Sequence, residues 1–180
     1  MQDLLSFQNK SLKREKLPSK HWTKNVWLVK PAAMNQGRGI EIFHTYSDIV
    51  KFIGIQPTYS YWVVQKYLEK PLLYKQRKFD IRVWVIFTSK GEVFFYEKGY
   101  LRTSSANYDL KDDNNYTHLT NNWLQQHGED YGKHEDGNTI GFEAFQEYLD
   151  EVFPQYKISV KEHFVPRMKD LIIDTFLWIK

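Results

Sequence analysis

The chain has 180 residues, a net charge of +3, no cysteine, and 42% hydrophobic residues, among them 12 Phe, 12 Tyr and 6 Trp. This composition excludes a disulfide framework, thiolate metal chemistry and a disordered segment, and it predicts one globular domain. No window approaches the roughly 18 to 20 consecutive apolar residues of a membrane-spanning helix, and the Met1 end lacks the apolar core of a cleaved signal, so neither a membrane partner nor secretion is expected.

In chain order, residues 1–24 are polar and carry Pro18 and the basic run Lys10, Lys13, Arg14, Lys16, Lys20 and Lys24. They read as a tail or entry loop: a solvated arm, or one that steers an acidic partner. Asn25 to Lys30 is short and rich in Val, Trp and Leu, a buried strand expected to stop at Pro31, which has no N–H to donate. Ala32 to Ile40 is a small-residue loop containing Gly37-Arg38-Gly39. Ser47-Asp48 ahead of Ile49, Val50, Phe52 and Ile53 predicts a short capped helix ending near Gly54 and Pro57.

Tyr61 to Leu68 and Phe79 to Thr88 have strong β-propensity, and Ser89-Lys90-Gly91 predicts a turn into a strand from Glu92 to Glu97. Thr103 to Asn122 is crowded with Asn, Asp, Ser and Thr and reads as a long functional or mobile loop. Phe142, Phe145, Tyr148, Leu149 and Val152 recur at spacings of three and four, an amphipathic helix closed by Pro154. A last helix is expected from about Lys161 to the end, with Phe164, Met168, Leu171, Ile172 and Phe176 inward and Pro166 in its first turns. Strands with a crossover helix, then a β-meander, then helices make the fold class α+β.

Four features could carry chemistry. Lys30 ends a strand and feeds the Gly37-Arg38-Gly39 loop, where small residues let backbone N–H groups approach an anion; an ordinary flexible turn is the plainer alternative. Lys78, Asp80 and Arg82 alternate with Phe79, Ile81 and Val83, so all three charges share one face of a strand. That face is either solvent or the floor of a charged cleft, and Gln65 and Lys66 on a neighbouring strand would extend it into a polar patch able to hold a nucleotide. Arg102 offers a fork suited to phosphate or carboxylate, and His118 to Asn122 packs hydrogen-bonding side chains at the end of the long loop. His118, His127 and His134 lack the spacing of a helical metal pair, and no nucleophile elbow is present. The Trp and Tyr residues sit inside apolar segments rather than along a basic stripe, so nucleic acid is not expected as a partner.

Taken in order, WLVKPAAMNQGRGI, WVVQKYLEKPLLYKQRKFDIRVWV, YLRTSS, THLTNN and YGKHEDGN resemble the tubulin tyrosine ligase family, whose catalytic domain has the ATP-grasp fold. The likeness runs from about Asn25 to Asn138, and more faintly through the helices to Lys180. It implies an ATP-grasp-like, antiparallel sheet with flanking helices over residues 25–180, the central part and start of the C-terminal part of such a domain, incomplete at both ends. The family's metal-binding Glu-x-Asn segment would follow the last helix, beyond Lys180.

The resemblance further implies ATP and Mg²⁺ as cofactors, an acidic tubulin tail and a free amino acid as partners, and a cytoplasmic, microtubule-associated setting such as the cytoskeleton or a cilium. Lys30 matches a lysine on the ATP phosphates, and Arg38 and Gly39 match the loop that covers them. Gln65, Lys66, Tyr67 and Leu68 match the hinge beside the adenine, while Lys78 and Asp80 match nucleotide-contacting positions. Arg82 and Arg102 match the catalytic arginines near the γ-phosphate and the reacting carboxylate, and Thr120 and Asn121 match the pair near the phosphates and the incoming amino acid. No metal ligand is assigned within the chain. The implied reaction is amide formation through an acyl phosphate; Gln126 stands where many members have lysine, so tyrosine, glutamate and glycine all stay open. A catalytically silent fragment that binds tubulin or nucleotide is the alternative.

Overall fold

The computed structural model describes residues 24–56 and 61–178, so the basic run ahead of Lys24 and the helix stop expected at Pro57 lie outside the described residues. Three antiparallel sheets and flanking helices follow one another, the α+β class expected. Strands β1 (Trp27–Pro31), β2 (Glu41–Phe43) and β3 (Trp62–Lys66) form the first sheet in the order β2-β1-β3. Pro31 closes β1 as its last paired residue, opposite Trp62, where its missing N–H costs the ladder little.

Helix α1 (Tyr46–Gly54) crosses from β2 to β3. Its cap is Thr45 rather than Ser47: the Thr45 hydroxyl accepts from the Asp48 N–H at 3.2 Å. Ile49 is buried and Phe52 packs between Phe43 and Trp62, with ring centroids 5.1 and 5.3 Å away, which fixes the apolar face of the helix on the sheet.

Strands β4 (Leu73–Tyr74), β5 (Arg77–Arg82), β8 (Tyr100–Asn107) and β9 (Thr139–Gly141) make the second sheet in that order. The single strand expected over Phe79 to Thr88 is broken at Val83-Trp84, and β6 (Val85–Phe87) pairs instead with β7 (Val93–Phe95) in a separate hairpin. Gly99 shows why. A Cβ there would lie 2.5 Å from Phe142 Cζ and 2.8 Å from Arg82 O, so the returning chain passes this break closely and only glycine fits.

The long loop expected from Thr103 is a second correction, because β8 runs to Asn107 and is a central strand. Thr103, Ser104 and Ser105 are buried, and each hydroxyl finds a partner: Thr103 with Glu135, Ser104 with Ala106 O, Ser105 with Gln125. A polar strand reads as a loop in sequence when its hydroxyls are satisfied by distant residues. After it come two single-turn helices, α2 (Asn115–His118) and α3 (Asn122–Gln125), each capped by the asparagine before it.

Helix α4 (Phe142–Val152) has the expected face except at its end, where Val152 is exposed. Phe145 and Leu149 join Tyr74, Leu101, Ile140 and Val160 in the core, with Phe79 and Ile81 of β5 packed against them. Gln146 on α4 ties the following segment back, accepting from Val160 N–H at 2.7 Å and donating to Ile158 O at 2.9 Å. The last helix, α5 (Val165–Leu177), follows a wide turn over Val160–Phe164 and carries Pro166 in its first turn. Its inward face is narrower than expected: Leu171 is exposed, and Phe176 stacks on Phe87 of the hairpin at 4.8 Å. Among the described residues no helix is long and apolar enough to cross a membrane.

Candidate functional site

Period-two alternation in β5 separates two environments. Phe79 and Ile81 face the core under α4, and Lys78, Asp80 and Arg82 share the opposite face. The register places Arg102 of β8 directly across from Asp80, so the pair is set by strand pairing before any side chain turns. The Arg102 guanidinium grips the Asp80 carboxylate with both arms, Nε to Oδ1 at 2.8 Å and an Nη to Oδ2 at 2.6 Å. Thr120 donates its hydroxyl to the same carboxylate at 2.8 Å. The hydrogen bonds that Arg102 donates to Asp80 hold it above the ordinary arginine range, against the desolvation that partial burial imposes.

Lys78 is the more enclosed cation. Its ammonium donates to Tyr67 Oη at 3.0 Å and to His118 O at 2.9 Å. Burial pulls its pKa down to about 8, only partly offset by the Asp80 charge. Tyr67 is itself buried, its hydroxyl lies 2.8 Å from His118 Nδ1, and burial raises its pKa. Burial also lowers the pKa of His118, which favours the neutral ring.

The expectation of adjacent strands for Gln65-Lys66 and Lys78 is corrected, since β3 and β5 belong to different sheets and β3 pairs with β1. Tyr67, just past β3, makes the connection through its hydroxyl. The Lys66 ammonium is drawn into structure, donating to Lys24 O at 2.9 Å, Val26 O at 3.0 Å and the buried Glu69 carboxylate. The Tyr67 N–H donates to Val26 O, so within the hinge Leu68, which is exposed, lies beyond the strand pairing. Lys30 reaches Gln65 Oε1 at 3.4 Å, a diagonal neighbour across β1 and β3.

The Gly37-Arg38-Gly39 loop leans on α3. Gly37 and Gly39 have φ of 81° and 70°, and a Cβ on Gly37 would lie 3.7 Å from Asn121 Cβ. The Arg38 guanidinium sits 4.6 Å from the Trp123 ring centroid, a cation–π contact. Asn121 caps α3 by accepting from Trp123 N–H at 3.0 Å. Arg82 is exposed and has no hydrogen-bond or ion-pair partner among the described residues.

The structure thus brings together Tyr67, Lys78, Asp80, Arg102 and Thr120 on one face; it sets Gly37 against Asn121 and Arg38 against Trp123, leaves Gly39 against Pro31, and pairs Lys30 with Gln65. Sequence reasoning missed the scaffolding. Gln125 is fully buried, accepting from Ser105 N–H and Oγ and donating to Tyr116 O and Leu119 O, which holds the 118–121 turn against β8. Arg77 and Glu135 form a buried ion pair beneath Thr103. A polar residue inside an apolar environment is the signal for such groups, and one sequence carries no record of that environment.

A cluster of cations beside glycines with positive φ suits a polyphosphate, so the donor set fits ATP. Among the described residues no group of three or more His, Cys, Asp or Glu side chains could hold a metal ion.

The chain is 34% identical over 181 residues to tubulin glycylase 3B of Tetrahymena thermophila, covering 97% of this chain and 15% of that protein. It is 40% identical over 133 residues to tubulin glycylase 3C of the same organism, covering 71% of this chain and 12% of that one. Human tubulin monoglycylase TTLL3 is 35% identical over 159 residues, covering 83% of this chain and 20% of its own length. The chain therefore spans a fifth or less of each of these relatives. The model of the tubulin-tyrosine ligase family matches residues 1–179, and the chain belongs to the tubulin-tyrosine ligase family.

Proposed function

We propose that this chain supplies the phosphate- and carboxylate-binding floor of an ATP-dependent ligase that joins an amino acid, glycine before tyrosine or glutamate, to an acidic tubulin tail. The observation that carries the reading is the β5–β8 face, where Lys78, the Asp80–Arg102 pair and Thr120 converge. Glycine is preferred because the relatives described above are named tubulin glycylases and monoglycylases. ATP, when bound, supplies the phosphoryl group that activates a carboxylate as an acyl phosphate for displacement by the amino group.

The chain's own residues act by charge and position. Lys78, poorly solvated, gains from an anionic oxygen what burial took away. Arg102, held in one orientation by Asp80, offers its remaining N–H groups to the charge that develops on transfer, and Arg82 at the exposed end of β5 meets the incoming carboxylate. Lys30, Arg38 and Gly39 close over the phosphates, the hinge from Gln65 to Leu68 borders the base, and Thr120 and Asn121 receive the amino acid. The basic face suits an acidic tail through long-range attraction, and a microtubule-associated, cytoplasmic or ciliary setting follows from that substrate.

Calorimetry with ATP and magnesium tests the reading first, followed by mass spectrometry of tubulin incubated with glycine, glutamate or tyrosine. Weakening of ATP binding by about tenfold or more in Lys78→Ala and Arg82→Ala is expected. Absence of binding by the folded wild-type chain overturns it. Binding without any modified tubulin favours a nucleotide-binding module instead.

A further inference from the structure

The hydrogen bonds behind Lys78 have a direction. His118 Nε2 faces Asp112 O, and a carbonyl oxygen only accepts, so Nε2 carries the ring proton. A neutral ring then presents Nδ1 as an acceptor, and the Tyr67 hydroxyl at 2.8 Å must donate to it. With its proton committed to His118, Tyr67 turns oxygen lone pairs to the Lys78 ammonium at 3.0 Å. The same ammonium also donates to His118 O at 2.9 Å. His118 therefore holds Lys78 twice, once through its carbonyl and once through the ring by way of Tyr67. Two of the three ammonium N–H groups are used among the described residues, leaving one for a ligand.

We propose that His118 is a positioning residue of the nucleotide site: its neutral imidazole orients the Tyr67 hydroxyl, which in turn fixes and sustains the Lys78 ammonium as a phosphate donor. This deepens the proposed function and rests on it for what Lys78 binds, though not for how Lys78 is held. The groups facing Lys78 are Asp80 beside it on β5, Tyr67 after β3 and His118 on α2; Tyr108, after β8, packs against the His118 ring at 5.8 Å, and Asp112 and Asp113 act on His118 from its other side.

The test is the titration of Lys78 in the 180-residue chain, followed by NMR at its ε-methylene and assigned by the loss of that signal in Lys78→Arg. Tyr67→Phe removes the acceptor and is expected to lower the midpoint by about one pH unit. His118→Leu is expected to lower it in the same sense by about half a unit, and the double variant no further than Tyr67→Phe alone, because His118 acts through Tyr67. His118→Asn, whose side-chain oxygen stands near the Nδ1 position, restores the wild-type midpoint. A merely structural histidine would move stability and leave these midpoints alone. An unchanged midpoint in folded Tyr67→Phe overturns the proposal, as does a His118→Leu shift that is absent or adds to that of Tyr67→Phe, or a lowered midpoint in His118→Asn. Should His118→Leu fail to fold, the Phe and Asn variants decide it. ATP binding by the same samples separates the two readings: a wild-type chain that binds no ATP overturns the nucleotide site, while the Lys78 titration still decides the role of His118.

Discussion

The buried pair Arg77–Glu135 sets the sharpest expectation for stability. The Arg77 side chain is 2% exposed and that of Glu135 14%, with Arg77 also donating to Thr103 Oγ at 3.3 Å and Ser104 O at 3.2 Å. Glu135→Ala leaves a guanidinium buried with only neutral acceptors. Removing one member of such a pair costs about 3–5 kcal/mol, and the slight access of water to Glu135 places the figure near the lower end, about 3 kcal/mol. With a urea slope of about 2 kcal/mol/M, that moves the unfolding midpoint down by about 1.5 M. Arg77→Met combined with Glu135→Leu should recover a good part of the loss, since neither charge is then stranded. Equilibrium urea unfolding followed by tryptophan fluorescence measures all three. A shift below about 0.3 M in Glu135→Ala would refute the reasoning, because it would mean that Arg77 is solvated after the substitution rather than held in the β8 sheet.

Although burial pushes the Glu135 carboxyl up, the Arg77 hydrogen bonds and charge prevail and hold it below the usual glutamate value. Its contribution to stability is therefore complete above pH 4.5 and is lost as pH falls through the lower folded value, so acid unfolding of the wild type should flatten in Glu135→Gln. For Lys78 the slope has the same sign from a different cause, burial: the unfolded chain holds this proton more tightly between pH 8 and 10.5, so the penalty of burying the ammonium is relieved and stability rises across that window. An adjacent phosphate pulls the Lys78 pKa back up, so ADP affinity measured by calorimetry should be level in this respect below pH 8 and fall above it, a fall absent in Lys78→Met. Gln125→Leu removes the partner of the Ser105 N–H and of the Tyr116 and Leu119 carbonyls, leaving the Ser105 hydroxyl to Asn138, and should cost about 2–4 kcal/mol in thermal or urea unfolding, with weaker nucleotide binding because the 118–121 turn loosens.

Residue order alone determined the class of the fold, the α4 face and the shared face of Lys78, Asp80 and Arg82, because a helix or strand imposes its period on side chains wherever it lies. The family blocks also marked Tyr67, Arg102 and Thr120 before any geometry was known. Tertiary structure decided what each charge does. It turned Thr103 to Asn107 from loop into central strand by supplying Gln125, Glu135 and Asn138 as distant partners for its hydroxyls. It placed β3 and β5 in separate sheets, committed the Lys66 ammonium to Glu69, rested Arg38 on Trp123 and left Arg82 exposed. Above all it enclosed Lys78 between Tyr67 and His118, residues 11 and 40 positions away. Desolvation and hydrogen-bond direction are properties of a neighbourhood, and a neighbourhood assembled across such separations exists only once the chain has folded.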